Sequence, residues 1–317
     1  MMMGQMGSEI AADAKPAGVR IVTYRAGDQE RAGLLVGTEV YDAVALTGDQ
    51  RDLSVMSILN DWDAAMERLA TAARSRQSNS PEPVSRAQLL APLPAPGSIY
   101  CAGANYADHA AEMAKANGSQ IRPKSDRSWH FLKSPRAIAG PDASVALPHN
   151  SSKVDWEVEL AAIIGRRCKD TDLDHALSYV AGYAIANDLS ARDLSRRQDV
   201  ADGSPFKMDW MSHKNFDGSC PLGPFIVPAN EVSDPQNLEI ELSVNGETKQ
   251  KSKTSEMIFS LAEQIRDLSR QITLWPGDII LTGTPAGVGT SRGEFLKPGD
   301  IICARIEGMG ELRTIMI

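Results

Sequence analysis

An acidic segment near the middle of the chain carries the residues best suited to metal chemistry. Asp155, Glu157 and Glu159 alternate with apolar residues, and the hydrophobic run 160–164 follows them. Alternate side chains of a β-strand project to opposite faces, so the three acids share one face of a predicted strand. Carboxylates crowded away from water need a raised pKa, a basic neighbour or a bound cation. The alternative is an edge strand with three solvated acids.

A further acid, Asp188, ends a second apolar segment, 183–187. A carboxylate at a strand end would complete one side of an octahedral metal site with the acids of the first strand. Such oxygen ligands favour magnesium, manganese or calcium over zinc. Asp188 also precedes a predicted helix at 190–197, where an aspartate commonly caps the first turn. The residues alone leave both interpretations open.

A histidine and a glutamate stand three residues apart in a predicted helix at 106–116. At this spacing the side chains of His109 and Glu112 lie on one helix face. A carboxylate beside an imidazole fixes its tautomer and raises its basicity, which suits a general base. The alternative is an exposed pair that contributes only about 0.2–0.5 kcal/mol to helix stability.

The segments that surround these residues predict a β-rich α+β fold. From residue 98 onward, short strand patterns alternate with turns and helices are few. The predicted strands are 99–101, 154–164, 183–187, 238–244, 278–282 and 301–306. The predicted helices are 106–116, 190–197 and 255–269. We therefore expect a β-rich catalytic domain with short helices at its rim.

The residues before this part predict a small N-terminal α+β domain. Strand patterns at 19–24, 33–36 and 39–44 are followed by apolar residues at three- and four-residue intervals over 54–77, which indicates an amphipathic helix. Prolines between 81 and 97 favour an extended connection. We therefore expect three parts of the chain. They are a disordered tail at 1–16, a small domain at 17–91 and the catalytic domain at 92–317.

The composition excludes several classes of partner. The net charge of −8 disfavours nucleic acid and anionic lipid. No apolar run approaches the roughly 20 residues of a membrane-spanning helix, and no secretory signal pattern is present, so we expect a cytoplasmic protein without membrane contact. Cys101, Cys168, Cys220 and Cys303 are widely spaced, which indicates reduced structural thiols.

Five motifs, in their order along the chain, resemble the fumarylacetoacetate hydrolase family. The resemblance runs from about Ser98 to the C-terminus, and several long motifs in order are more specific than any one of them. The motifs are Gly103–His109 with Glu112, Phe131–Lys133, Asp155–Glu159, Asn187–Asp193 and Leu281–Gly289. Two positions depart from the family pattern. Ala104 replaces an aspartate of the prototype enzyme, and Ser195 replaces a glutamine found in many relatives.

The resemblance implies a fold and a metal site. The fold would be a catalytic domain of mixed β-sheets rolled into a barrel-like core. Glu157, Glu159 and Asp188 would hold Mg²⁺ or Mn²⁺, with Ca²⁺ as a further option. The remaining metal positions would take water and the oxygens of a small anionic 2-keto acid substrate. Family members commonly pair, so a homodimer is also expected.

The resemblance further assigns roles to seven residues. His109 and Glu112 would activate a water, and Lys214 would reach the substrate as a third catalytic residue. The implied substrate-binding residues are Tyr106, Lys133, Arg192 and Thr284. Alternatives remain for three of these residues, because Tyr106 would also suit the core and Lys214 and Arg192 would also suit surface ion pairs with Asp193 or Asp217.

The implied activity is hydrolysis of a carbon–carbon bond in an acylpyruvate, a 2,4-diketo acid such as fumarylpyruvate, in aromatic compound catabolism. The alternative within the family is an oxaloacetate-type decarboxylase, or an isomerase or hydratase of 2-hydroxyhepta-2,4-diene-1,7-dioate. All pass through an enolate, so the sequence separates them poorly. A different class of function is a non-catalytic ligand-binding module, which loss of a carboxylate or of His109 would have indicated.

Overall fold

A computed structural model describes residues 18–74, 81–85, 87–121 and 123–317. The predicted disordered tail, residues 1–16, lies outside the described residues, as does the end of the predicted helix 54–77. Mixed β-sheets with short helices make up the described part, which confirms the predicted β-rich α+β class.

Strands outnumber α-helices along the described residues. In chain order the strands are β1 (Arg20–Ala26), β2 (Gln29–Val36), β3 (Glu39–Asp42), β4 (Gln88–Leu89), β5 (Ile99–Ala102), β6 (His130–Lys133), β7 (Ile138–Ala139), β8 (Ala143–Val145), β9 (Val154–Asp155), β10 (Val158–Ile164), β11 (Val180–Asn187), β12 (Ser190–Ala191), β13 (Cys220–Pro228), β14 (Glu239–Val244), β15 (Glu247–Lys253), β16 (Ile279–Leu281), β17 (Ile301–Ile306) and β18 (Glu311–Met316). The α-helices are α1 (Ala43–Thr47), α2 (Val55–Asn60), α3 (Trp62–Arg74), α4 (Ala107–Ala116), α5 (Leu173–Ala176), α6 (Trp210–Lys214) and α7 (Leu261–Gln271).

The largest sheet runs in the order β3-β2-β1-β13-β11-β10-β16-β5-β6, with β4 and β7 added beside β1 and β13. A closed barrel would require the first and last strands to pair. Within the described residues β3 and β6 end the sheet at opposite edges and do not pair with each other. The sheet is therefore open, and the barrel-like core implied by the resemblance is not a closed barrel.

Strand β10 lies at the centre of this sheet and is buried along its whole length. Leu160 and Ile164 belong to one hydrophobic cluster, which also contains residues of β14, β17, β18 and β8 from the five-stranded sheet β15-β14-β17-β18-β8. Ala161 and Ile163 face a second cluster that contains residues of α2 and α3. Burial on both faces explains why residues 160–164 of this strand form a continuous hydrophobic run.

The predicted acidic strand 154–164 is interrupted at Trp156 and Glu157. The Trp156 N–H donates to the Asp155 carboxylate at 2.8 Å, and the Glu157 N–H donates to Asn187 Oδ1 at 2.9 Å. Because side chains take these two N–H groups, neither is available for a strand ladder. The segment therefore forms β9, which pairs with β12, and β10, which joins the large sheet.

The helix predictions succeed where local signals are strong. Helix α4 confirms the prediction at 106–116, whereas α7 begins later than predicted because Ser260 and Glu263 form a capping box. The predicted helix 54–77 is interrupted at Asp61, which leaves the helical conformation between α2 and α3. The predicted helix 190–197 is wrong. Its first residues form β12, and a single 3₁₀ turn, Arg192–Leu194, follows.

Strand β1 pairs with β13, so the first strands of the chain continue the large sheet. The division into domains near residue 92 remains a prediction. The four cysteines are free thiols. Among the described residues, no helix has the length and apolar character needed to cross a membrane.

Candidate active site

Glu157, Glu159 and Asp188 converge at one end of the strand pair β10 and β11. One carboxylate oxygen of each lies within 4.8 Å of the others, and all three residues are buried. The antiparallel register explains the convergence, because Val158 opposes Asn187 and the three acids flank that pair. The structure thus brings together the three residues predicted as metal ligands.

Two lysines bind this acidic triad from neighbouring elements. Lys133, at the end of β6, donates to Asp188 Oδ1 at 2.6 Å and to the carbonyl oxygens of Leu189 and Lys214. Lys214, at the end of α6, donates to Glu157 Oε2 at 2.8 Å and Asp188 Oδ2 at 2.6 Å. An ammonium has three donors, so Lys133 would have to release a protein oxygen to contact a substrate directly.

Arg192 forms the third cationic contact. Its Nε donates to Asp155 Oδ2 at 2.8 Å, and its Nη2 donates to Glu157 Oε1 at 2.5 Å. Among the described residues, Arg192 and Lys214 pair with buried acids rather than with Asp193 or Asp217. These two cations are therefore part of the carboxylate cluster.

The charges of this cluster leave room for a cation. Four carboxylates face three cationic side chains, so one negative charge is uncompensated. The carboxylates are Asp155, Glu157, Glu159 and Asp188, and the cations are Lys133, Arg192 and Lys214. Glu159 has no cationic partner within the described residues and accepts one N–H, from Gly283 at 2.6 Å. A divalent cation at the triad fits this arrangement, and the resulting positive charge would suit an anionic substrate.

The pKa values of the two glutamates differ according to whether each has a cationic partner. Burial raises the pKa of Glu159 well above its ordinary value, and the charges of Asp188 and Glu157 add to this effect. Burial alone would also raise the pKa of Glu157, but Lys214 and Arg192 outweigh it and hold that pKa far below the usual range. Glu159 is therefore the carboxylate of the triad whose ionisation a bound cation would favour most.

His109 and Glu112 project from α4 and are mostly buried. His109 Nδ1 lies 3.6 Å from Glu112 Oε2, slightly beyond hydrogen-bond length. Glu112 also accepts hydrogen bonds from the Gly287 N–H and from Ser291 Oγ. Burial would raise the pKa of Glu112, but the contacts with His109, Gly287 and Ser291 lower it. Glu112 is thus anionic beside the imidazole.

Asp108 fixes the start of the same helix. Its carboxylate accepts from Ser252 Oγ at 2.6 Å and from the Ala286 N–H at 3.3 Å. Together with Glu112, it ties α4 to the loop that follows β16. Asp108 was not among the predicted site residues, although it lies within the first family motif.

Tyr106 and Thr284, two of the predicted substrate-binding residues, are buried. The Tyr106 hydroxyl has no hydrogen-bond partner among the described residues. Thr284 Oγ1 accepts a hydrogen bond from Gln250 Nε2 at 2.8 Å. Gln250 also accepts from the Val158 N–H and donates to the Pro285 carbonyl, so it joins β10 to this loop.

Three further residues hold the site together, although sequence reasoning assigned none of them a role there. Asp155 accepts hydrogen bonds from the Gly289 and Thr290 N–H groups besides its bond from Arg192, so it orients the arginine rather than a metal. Gln250 gave no signal, because its role depends on partners that are distant in sequence. Asn187 was visible only as part of a motif, and its side chain positions the backbone of Glu157.

Comparison with known proteins identifies the family to which this arrangement belongs. A family model described as fumarylacetoacetate (FAA) hydrolase C-terminal matches residues 98–316. The oxaloacetate tautomerase FAHD2A, mitochondrial, of Bos taurus is 43% identical over 230 residues, which cover 72% of this chain and 69% of that protein. The chain belongs to the fumarylacetoacetate hydrolase family.

Two solved structures are similar to this chain over nearly its whole length. The maleylpyruvate hydrolase of Sphingobium sp. SYK-6, in complex with manganese(II) and pyruvate, has a TM-score of 0.72 and 30% identity and covers 94% of this chain and 98% of that chain. The 2-hydroxyhepta-2,4-diene-1,7-dioate isomerase of Mycobacterium marinum has a TM-score of 0.67 and 30% identity and covers 95% and 98%. The predicted family is confirmed. The buried triad of this family member and the manganese of the Sphingobium enzyme agree with a divalent metal cofactor.

Proposed function

We propose that this member of the fumarylacetoacetate hydrolase family hydrolyses a carbon–carbon bond of an acylpyruvate, a 2,4-diketo acid such as fumarylpyruvate. The observation that carries the proposal is the His109 and Glu112 pair, held by Glu112 against the loop after β16. A buried base with its own carboxylate partner suits the activation of water. The similarity to the maleylpyruvate hydrolase supports the same reaction class.

The cofactor we propose is Mg²⁺ or Mn²⁺, with Ca²⁺ as a further option, held by Glu157, Glu159 and Asp188. When bound, such an ion supplies Lewis acidity toward negative charge that develops on the 2-keto oxygen. Lys133 and Lys214 hold the Asp188 carboxylate from two sides, and Arg192 holds Glu157. The protein thereby fixes two of the three ligands before any ion or substrate arrives.

The proposed reaction needs one base that is used twice. His109 takes a proton from water, and the hydroxide forms a bond to the acyl carbonyl carbon. The bond between that carbon and C3 of the pyruvate unit breaks, and its electron pair becomes the enolate of pyruvate. His109 returns the proton to C3, so the products are a carboxylic acid and pyruvate. Glu112 stabilises the imidazolium that exists between the two transfers.

We assign the binding of the substrate's anionic end to the residues implied by the family resemblance. Lys214 and Arg192 supply positive charge, and Thr284 and Tyr106 supply hydroxyl groups at the buried side of the site. Lys133 acts on the substrate through Asp188, because its three donors already bind protein oxygens. These roles suit a small anionic 2-keto acid.

A second candidate is an enolate reaction of oxaloacetate, favoured by the 43% identity to a protein named as an oxaloacetate tautomerase. Tautomerisation or decarboxylation would need the same triad but no attacking water. The double-bond shift of an isomerase also passes through an enolate and also needs no attacking water. A non-catalytic binding module is not proposed, because the three acids converge and the His109 and Glu112 pair is present.

The test is an assay of the Mn²⁺-loaded enzyme on acetylpyruvate and on oxaloacetate. Loss of diketone absorbance with one pyruvate formed per acetylpyruvate consumed is the expected result. Enol-to-keto conversion or carbon dioxide release from oxaloacetate, with acetylpyruvate and larger acylpyruvates untouched, would replace the hydrolase proposal with the second candidate.

We also propose a homodimer and a cytoplasmic location. Sedimentation at micromolar concentration should give twice the 34.2 kDa mass of one chain. A fully active protein with the mass of one chain would contradict the dimer. The bovine relative is named as mitochondrial, so fractionation of the source cells is the direct test of location.

A further inference from the structure

Two aromatic residues lie on the same elements as the two lysines of the carboxylate cluster. On β6, Phe131 and Lys133 are two residues apart and share a face. On α6, Trp210 and Lys214 are four residues apart and lie on one side of the helix. The rings of Phe131 and Trp210 stack with centroids 4.9 Å apart and an interplanar angle of 25°. The elements that position the lysines therefore also position a pair of rings beside them.

A third ring extends this pair to the surface. The Trp129 centroid lies 4.9 Å from Trp210 and 5.8 Å from Phe131, and 49% of Trp129 is exposed. At the other end, Lys214 Nζ lies 5.2 Å from the centre of the Phe131 ring. We call Trp129, Phe131 and Trp210 the aromatic row. It runs from solvent to the ammonium group that binds Glu157 and Asp188.

The aromatic row also borders the segment that leads to the proposed base. The Gly103 N–H donates to the Trp129 carbonyl at 3.1 Å. A Cβ atom at Gly103 would lie 2.3 Å from the Trp129 ring, so the ring rests directly on the backbone there. Three residues later the chain reaches Tyr106, and α4 with His109 follows. One side of the row thus contacts the segment before α4, and its inner end lies beside Lys214.

A purely structural role would bury these rings, yet the outer end is open. Half of Trp129 is exposed, and the neighbouring segment before and within α6 exposes Phe206 and Met211 by 72% and 68%. Partly exposed aromatic side chains whose inner ring lies beside a charged group are typical of a ligand site. Flat aromatic faces favour planar apolar groups, which stack on them.

We propose that the aromatic row binds the acyl substituent of the substrate and makes the enzyme prefer planar, apolar acyl groups such as an aryl group. This inference rests on the proposed function, because the acyl group is the part of an acylpyruvate that projects away from the 2-keto acid. The row is a specificity determinant and takes no part in proton transfer.

The test compares two substrates that differ only in the acyl group. Trp129→Ala should lower kcat/KM for benzoylpyruvate about 10-fold or more and leave acetylpyruvate within about 2-fold, because an apolar pocket contact discriminates by roughly this factor. Trp275→Ala is the matched control, since Trp275 is 54% exposed and lies outside the row. Equal loss for both substrates in Trp129→Ala would overturn the proposal and leave a structural role.

A binding measurement separates this proposal from the proposed hydrolysis. By calorimetry, the Mn²⁺-loaded wild type should bind phenylpyruvate more tightly than pyruvate, and Trp129→Ala should lose the difference. If neither acylpyruvate is cleaved but this preference is present, the hydrolase proposal fails and the aromatic row stands. If phenylpyruvate and pyruvate bind equally, the row proposal fails. A Trp129→Ala protein that loses both activities equally and sediments at half the wild-type mass would show that a second copy covers the row, which also overturns it.

Discussion

Lys214 donates to Asp188 across 2.6 Å, and both side chains are almost completely buried. Burial would lower the pKa of Lys214, but the carboxylates of Asp188 and Glu157 raise it instead. The ammonium therefore stays charged where it would otherwise be costly. It performs part of the charge compensation that a metal ion would also provide.

Replacing Lys214 separates its effect on turnover from its effect on metal binding. Lys214→Met should lower kcat by about 100-fold or more, because positive charge near the developing enolate is lost. The same variant should bind Mn²⁺ at least as tightly as the wild type, because the triad becomes more negative while Lys133 still holds Asp188 and Arg192 still holds Glu157. Calorimetry with Mn²⁺ beside an acylpyruvate assay measures both. A variant that loses Mn²⁺ binding together with activity would show that Lys214 orders the triad rather than the substrate.

The histidine should matter for turnover and not for the metal. His109→Ala is expected to lower kcat by about 100- to 10,000-fold, the range for a lost general base, with Mn²⁺ affinity nearly unchanged. Glu112→Gln should be milder, because it keeps an acceptor for the imidazole but removes the charge that raises its basicity. Wild-type cleavage of acylpyruvate by His109→Ala would refute the assigned role.

Acidification should lower the stability of the fold because of a buried histidine. Burial lowers the pKa of His130 from 6.5 to about 4, against smaller opposing effects of Gln264 and Asp267. Because the pKa of His130 is lower in the folded than in the unfolded chain, its contribution to the stability of the fold is fully present above pH 6.5. This contribution is lost as the pH falls toward 4, because in that range the unfolded chain takes up a proton at His130 and the folded chain does not. Between pH 7.5 and pH 5 the loss is about 2 kcal/mol for this group.

The matched comparison is His130→Gln against His175→Gln, because His175 has an exposed side chain. Thermal denaturation at pH 7.5 and pH 5 should show a smaller decrease in Tm for His130→Gln than for the wild type. His175→Gln should behave as the wild type does. Burial also lowers the pKa of His213, to about 3, so part of the decrease persists in every variant. An unchanged decrease in His130→Gln would contradict the assignment.

The grouping of the three acids was predictable in part from local signals, whereas their assignment to a metal came from the family resemblance. Alternation along the segment predicts Glu157 and Glu159 on one side, although Glu157 lies just before β10, and Asp188 directly follows β11. The interruption at Trp156 was not predictable, since it depends on Asn187 Oδ1 from another strand. The error at 190–197 has the same origin, because β12 forms only by pairing with β9.

The charge network and the aromatic row could not be predicted from the sequence, because their members come together only in the folded chain. Arg192 was expected at the pocket or at the surface, but its two carboxylate partners are more than 30 residues away in sequence. The same applies to Trp129 and Trp210, which meet only after β6 and α6 have packed against each other. Helix α4, whose periodicity is local, was predicted with nearly correct ends.

The central claim is that Glu157, Glu159 and Asp188 hold one divalent cation, and titration calorimetry with Mn²⁺ tests it most directly. The metal-free wild type should bind one Mn²⁺ per chain. Glu159→Gln should weaken binding by about 10-fold or more, because the variant removes a ligand charge and keeps the shape of the side chain. Glu112→Gln is the control, since it removes a carboxylate outside the triad, and it should bind as the wild type does. Equal Mn²⁺ binding by the wild type and Glu159→Gln would contradict the account.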